Sequence, residues 1–425
     1  MVIERQNKDG FIKSDEARKA IGEFFAQNDY ASKRVLLIVP DNTRSGPIGD
    51  IFKIIYDCLD QNVKALDVLV ALGTHPALSE EGICTRLGIT LSERSSKYAS
   101  VRFFNHEWER PETFTSIGKI SADEINQMSN GLFSEEVDVA INKLIFEYDE
   151  FFILGPVFPH EVVGFSGGHK YIFPGIAGDE IINFFHWLSA VITNPVINGN
   201  KWTPTRHVVE KAASFIEMPH KLFAIVSIDD GLRGLFIGDC LKAWEKAADL
   251  SKEVHIVYKD KPYRTILGIA PKMYDDLWTA AKAMYKLEPI VADGGTVIIY
   301  APHITELSYT HGKFLDKIGY HTRDYFLKRM DKFTGIPRAV IAHSTHVKGI
   351  GTYIGGIEKP RIKVVLATRI SKERCERVNL DYINPDGINI ADYENREDEG
   401  ILVVRHAGEV LHRLSSGYIP TIPNE

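Results

Sequence analysis

Residues 34–47 read RVLLIVPDNTRSGP. The first seven form a continuous apolar run of strand length, and the next seven are the residue types of a tight polar turn. Behind the turn, IGDIFKIIYDCLD (48–60) returns to apolar residues at helical spacing. A strand apolar on both faces that leads through a short loop into a helix is the unit of a parallel sheet covered on both sides. The pattern recurs in ALDVLVALG (65–73), which is followed by THPALSEEGICTRLG with an N-cap signal at Ser79, then in SVRFFNH (100–106) and FFILG (151–155). The fold class is therefore α/β, with largely parallel sheets. Ligands of such sheets gather beyond the carboxyl ends of the strands. Asp41, Arg44, Thr74, His75, His106 and His160 all follow a strand end.

At 425 residues the chain exceeds the size at which one core stops growing. A break at DKPYRT (260–265) precedes a new strand–helix–strand series, with further strands expected in RAVIAHS (338–344), RIKVVLATRI (361–370) and GILVVRHAG (400–408). Two α/β domains are expected: one over 1–265, and a smaller one over 275–400, with the tail 400–425 returning to the first. Acids and bases are interspersed around a net charge of −7, which disfavours a nucleic-acid partner. No run of 18 apolar residues occurs and MVIERQNKDGF lacks an apolar leader core, so no membrane association and a cytoplasmic location are expected. Cys58, Cys84, Cys240 and Cys375 form no CxxC pair, so neither a disulfide framework nor a thiolate zinc site is expected.

The densest chemistry lies in HEVVGFSGGHKYIFPG (160–175), where Lys170 stands on a glycine-rich loop. A nucleotide-triphosphate loop would need glycine where His169 stands and a hydroxyl where Tyr171 stands, so that reading fails. GIGTYIGGI (349–357) is off-spacing for a dinucleotide loop and reads as a turn. An NAD-dependent 2-hydroxyacid dehydrogenase would show GxGxxG with an acidic residue about 20 positions on, and none is found. A zinc hydrolase built on His160, His169 and His186 lacks HxH or HExxH spacing and leaves Lys170 and Arg44 without a role. Taken singly, His106 reads equally as a strand-end histidine, and His186 in IINFFHWLSAV as a core one.

Taken together, DNTR (41–44), LGTH (72–75), Asn105-His106, Pro159-His160, Ser166-Gly167-Gly168-x-Lys170, Pro174-Gly175-Ile176 and His186 resemble the lactate racemase family of nickel-pincer nucleotide enzymes. The motif order matches over nearly the whole chain, and the spacings 170 − 160 = 10 and 186 − 170 = 16 are those of the family. The resemblance implies an isomerase, a 2-hydroxyacid racemase or epimerase, with its active site in the cleft between the two domains. It implies a pyridinium-3-thioamide-5-thiocarboxylic acid mononucleotide joined to Lys170 and carrying nickel, with His186 as the protein ligand. Thr74, His75, Ser166, Gly167 and Gly168 would hold the cofactor phosphate, and His106 and His160 would be the two acid/base residues. Arg44, oriented by Asp41, would bind the substrate carboxylate, and Lys282 would close over the substrate. Cofactor biosynthesis and nickel-insertion proteins are implied partners, and protein from an ordinary host is expected in the apo form. A non-catalytic role in binding the cofactor is the remaining alternative, against which both acid/base histidines are retained.

Three departures stand out. Trp278 and Thr279 replace the Tyr-Gln of lactate enzymes, Val162 replaces an aromatic residue, and Phe185 precedes the nickel histidine where the family usually has Asn. The first two remove volume near the distal end of the substrate and point to a larger, more polar 2-hydroxy acid such as an aldonate. Glu306, Ser308, Tyr309 and His311 are further polar candidates for that pocket.

Overall fold

The structure, a computed structural model, describes residues 2–59 and 62–422. The chain divides into two compact units: Met1–Phe158, Phe165–Ile182 and Arg206–Val254 form one, and Pro159–Gly164, Asn183–Thr205 and His255–Glu425 the other.

The first unit is built on a seven-stranded sheet. Its strands in chain order are β1 (Val2–Gln6), β2 (Arg34–Pro40), β3 (Ala65–Ala71), β4 (Phe103–Asn105), β5 (Glu150–Pro156), β6 (His220–Ile228) and β7 (Gly231–Gly238). They lie in the order β1-β7-β6-β5-β2-β3-β4. β6, β5, β2, β3 and β4 run parallel, and β7 and β1 complete the edge in antiparallel pairing. The apolar runs become strands because both faces are covered. Val35, Leu37 and Val39 pack with Phe24, Ile51 and Phe52 of the helices Ser14–Ala26 and Ile48–Leu59 in one cluster. Ser79 caps the helix Glu80–Arg86 as its sequence signals, accepting the Gly82 N–H at 3.0 Å.

The second unit holds a five-stranded, all-parallel sheet made of β8 (Tyr263–Ile269), β9 (Val291–Ala301), β10 (Lys363–Thr368), β11 (Asp381–Tyr382) and β12 (Ile401–Val404), in the order β11-β10-β9-β8-β12. GIGTYIGGI is a hairpin of Gly351–Ile354 with Ile357–Pro360, turning at Gly355 and Gly356.

Two expectations are corrected. RAVIAHS is not a strand but opens the helix Arg338–Lys348. Its apolar run is four residues long, Pro337 sets the first turn, and every residue from Val340 to Val347 is buried, polar ones included. The domain boundary lies at 254/255, and the tail belongs to the second unit, where β12 pairs with β8 and Leu411–Leu414 pairs with Ile256–Lys259. Reading along the chain assigns everything between two breaks to one body, so the excursions 159–164 and 183–205 into the second unit are invisible to it. Among the described residues no helix is long and apolar enough to cross a membrane.

Candidate functional site

In the first unit the chemistry lies beyond the carboxyl ends of three adjacent strands. Asp41 directly follows β2; its carboxylate accepts the Thr43 N–H at 3.0 Å and the Thr43 hydroxyl at 2.7 Å, and meets His75 Nδ1. Arg44 donates through Nη1 to Thr43 Oγ1 at 2.8 Å and to the Thr43 carbonyl at 3.1 Å. Asp41 therefore steadies Arg44 through Thr43 rather than by direct contact. Burial alone would raise the Asp41 carboxyl, but the His75 imidazole, helped by Arg44 and Thr43, holds it well below the carboxylate range. Arg86, which sequence reading passed over, clamps the same loop by donating to the Pro40 carbonyl at 3.1 Å and the Arg44 carbonyl at 2.8 Å. Thr74 and His75 follow β3, next to Gly73 in the left-handed conformation, and the His75 carbonyl accepts the Trp108 indole N–H at 3.0 Å.

His106 ends β4 and is buried, its ring edge-on to Phe114 at 5.4 Å. The Asn142 amide lies 3.2 Å from its Nδ1, while Nε2 has no well-formed hydrogen bond among the described residues. Burial pushes the imidazole down to about 4, offset in part by the Ala177 carbonyl. A buried neutral ring held at Nδ1, with no well-formed hydrogen bond at Nε2, can give a proton to a bound oxygen there and, in its other tautomer, take one.

The glycine-rich loop is shaped from within. The Ser166 N–H donates to the Phe158 carbonyl at 2.7 Å, and the Ser166 hydroxyl accepts the Phe158 N–H at 2.9 Å. Ser166 thus fixes the loop. Gly167 and Gly168 both have positive φ, with Val157 beside Gly167 and the Arg206 and Trp244 side chains beside Gly168. Half-buried Lys170 follows on the short 3-10 turn Gly168–Tyr171.

In the second unit, His160 is buried and its Nδ1 accepts the Val162 N–H at 3.1 Å. Glu161, which has no counterpart in the sequence reading, lies 3.6 Å from that nitrogen. Burial would raise the Glu161 carboxyl, but Lys286, with His346 and Lys282 also near, keeps it below its ordinary value. Buried Lys286, one helical turn after Lys282, donates to the Pro159 carbonyl. Lys282 lies over the Tyr274 ring at 4.6 Å. His186 stacks on fully buried Phe185 at 4.6 Å, so packing supports the ring where the family uses a polar neighbour.

Trp278 touches two histidines, stacked on His343 at 4.0 Å and tilted against His311 at 4.5 Å. The Thr279 hydroxyl donates to Asp276 at 3.0 Å within the N-cap of its own helix, so its proton is turned away from any substrate. Of the other polar candidates, Glu306 is ion-paired with Arg374 at 2.6 Å, the Ser308 hydroxyl caps the His311 N–H at 3.0 Å, and Tyr309 is exposed. His311 lies against Trp278.

Comparison with known proteins bears on these residues. The family described as lactate racemase N-terminal domain matches residues 20–197. A lactate racemase of Thermoanaerobacterium thermosaccharolyticum is 27% identical over 279 residues, 63% of this chain and 60% of its own length. One from Lactiplantibacillus plantarum is 25% identical over 275 residues, 63% and 59% of the two chains. The chain thus spans about three fifths of the length of the curated relatives it matches. A crystal structure of a Thermotoga maritima protein is 31% identical, with a TM-score of 0.89 over 97% of this chain and 100% of that one. The lactate racemase apoprotein of T. thermosaccharolyticum superposes with a TM-score of 0.65 over 95% of each chain at 19% identity, a likeness of fold.

Proposed function

From the premise that this chain belongs to the lactate racemase family, we propose that it inverts the configuration at C2 of a 2-hydroxy carboxylate. The observation that carries the reading is His106. A buried imidazole whose Nε2 makes no well-formed hydrogen bond among the described residues stands at the carboxyl edge of the sheet, with one strand between it and the Asp41–Thr43–Arg44 network.

The residues fit the nickel-pincer nucleotide. Lys170, half-buried on the turn that follows two left-handed glycines, would be the tether, and His186, its ring steadied by Phe185, would be the protein ligand to nickel. Gly167, Gly168, Thr74 and His75 would surround the phosphate, with Ser166 keeping the loop in shape. When bound, the group supplies an acceptor for the C2 hydrogen, which avoids a carbanion beside an ionised carboxylate. The chain's own residues do the rest. Arg44 holds the substrate carboxylate with a bidentate fork. His106 and His160 each exchange a proton with the hydroxyl, one for each enantiomer, because the two hydroxyl positions differ. Lys282 contributes a second cation. Proteins that build the cofactor and insert nickel are the implied partners.

A C5 or C6 sugar acid remains the proposed substrate. Val162 and Thr279 are smaller than their lactate-enzyme counterparts, and Trp278 with the His311 ring beside it offers an aromatic and polar wall to a polyhydroxy chain. The test uses protein made in a host able to build the cofactor. Intact mass should show an adduct on Lys170 that is absent from Lys170→Ala, with one nickel per chain. His106→Ala and His160→Ala should each lose interconversion, and gluconate should exceed lactate and malate in kcat/KM. Wild-type interconversion by either histidine variant would remove that residue from the mechanism, and lactate winning clearly would sink the sugar-acid assignment alone.

A further inference from the structure

Behind the loop that carries Lys170, one ligand atom each from His169, His220 and Cys240 lies within 4.8 Å of the others. All three belong to the first unit. His169 and Cys240 are buried, and His220 is partly so. The three come from separate places: the 3-10 turn Gly168–Tyr171, the start of β6, and the first residue of the helix Cys240–His255.

The hydrogen bonds aim the two rings at one another. His220 Nδ1 is 2.8 Å from the Met218 carbonyl, a pure acceptor, so that nitrogen carries the proton and Nε2 is bare. His169 Nδ1 is 2.6 Å from the Glu210 carboxylate, which is itself ion-paired with Arg206 at 2.8 Å, so Nε2 is the nitrogen it turns toward His220. The two Nε2 atoms lie 3.1 Å apart. Two bare nitrogens at that distance would repel, so either a proton carried by His169 or a metal ion joins them. A shared proton would serve two donors, whereas a metal ion serves three, and the Cys240 sulfur is the third. Two zinc–nitrogen bonds of about 2.0–2.1 Å at a tetrahedral angle put the nitrogens roughly 3.3 Å apart. A histidine whose second nitrogen donates to a carboxylate or carbonyl is also the usual arrangement around such an ion.

We propose that His169, His220 and Cys240 bind one divalent ion of the zinc class, which ties the loop bearing Lys170 to β6 and to the following helix. Binding displaces the thiol proton of Cys240 to solvent and leaves a fourth position for water. Imidazole and thiolate together select Zn²⁺ over the hard cations Mg²⁺ and Ca²⁺. The proposal does not depend on the nucleotide cofactor or on racemase activity.

The test uses full-length protein from a host without the pincer pathway, stripped with chelator and titrated with Zn²⁺ or Co²⁺. The expected result is one ion per chain, a rise in Tm on adding Zn²⁺, and a thiolate-to-cobalt charge-transfer band in the near ultraviolet. Cys240→Ser should abolish that band. Glu210→Gln, which keeps all three ligands, should weaken affinity about tenfold, and His186→Ala should bind as wild type. Should Cys240→Ser fail to fold, the cobalt spectrum of wild type and of His220→Gln decides. A wild-type spectrum without a thiolate band, or an unchanged one in His220→Gln, overturns the assignment and leaves the pair sharing a proton.

Discussion

Asn142 decides which nitrogen of His106 can react. Its Oδ1 accepts the Leu144 N–H at 3.0 Å, so its NH₂ group faces His106 Nδ1. The neutral ring then carries its proton at Nε2, and taking a substrate proton there needs the other tautomer, with the Asn142 amide turned over. Asn142→Asp would supply a permanent acceptor for an Nδ1 proton and an opposite charge beside the ring, both of which favour the imidazolium. The acidic limb of the rate profile of the loaded enzyme should therefore move up from about 4. An unmoved limb would mean that another group governs it. Asp41, Arg44, His75 and His106 were legible because each follows a strand that its own apolar run announces. Arg86 and Asn142 were not, since the groups they hold lie 42 and 36 residues away in the chain. The site proposed at Cys240 was not legible for the same reason: a cluster assembled from three distant segments has no local spacing.

At the scale of the element, the sequence marks the Lys170 loop as glycine-rich but does not say why. Gly167 has φ +83° and ψ 176°, a conformation open to glycine almost alone, and a Cβ there would lie 2.5 Å from Val157 Cγ2. Gly131 has the same φ of +83° with nothing within 4 Å of the added carbon. Gly131→Ala should therefore cost about 1 kcal/mol from backbone strain alone, and Gly167→Ala roughly 2–4 kcal/mol from strain and overpacking together. Urea unfolding of both variants measures the difference, and equal costs would show that the loop relaxes around the methyl group. The helix Arg338–Lys348 was missed by the opposite route. It buries His343, Ser344 and His346 as well as its apolar residues, so the polar positions that mark a helix's outer face are absent from its sequence.

For the whole molecule, the sequence foretold two α/β bodies but not the interleaving of their chain segments, because burial patterns report what is covered and not what covers it. Burial has a second consequence that spans both units. His106 in the first unit, and His346 and His412 in the second, are each pushed from an ordinary 6.5 down to about 4 by desolvation. Between those limits the unfolded chain binds protons that the folded rings refuse, so stability rises with pH across the window and is lost as pH falls through it. A shift of this size corresponds to about 3 kcal/mol per ring. Below about 4.5 a further loss begins as Glu210, held down to about 2 against the effect of its burial by Arg206 and His169, takes up its proton. Tm measured from pH 7 to pH 4 should therefore fall steadily, well before the carboxylates titrate. His412→Leu removes one titrating ring at a distance in sequence from every proposed catalytic residue, and its Tm should decline less steeply over the same range. An equally steep decline in that variant would mean that His412 is charged in the folded protein or that its strand Leu411–Leu414 opens before the rest unfolds.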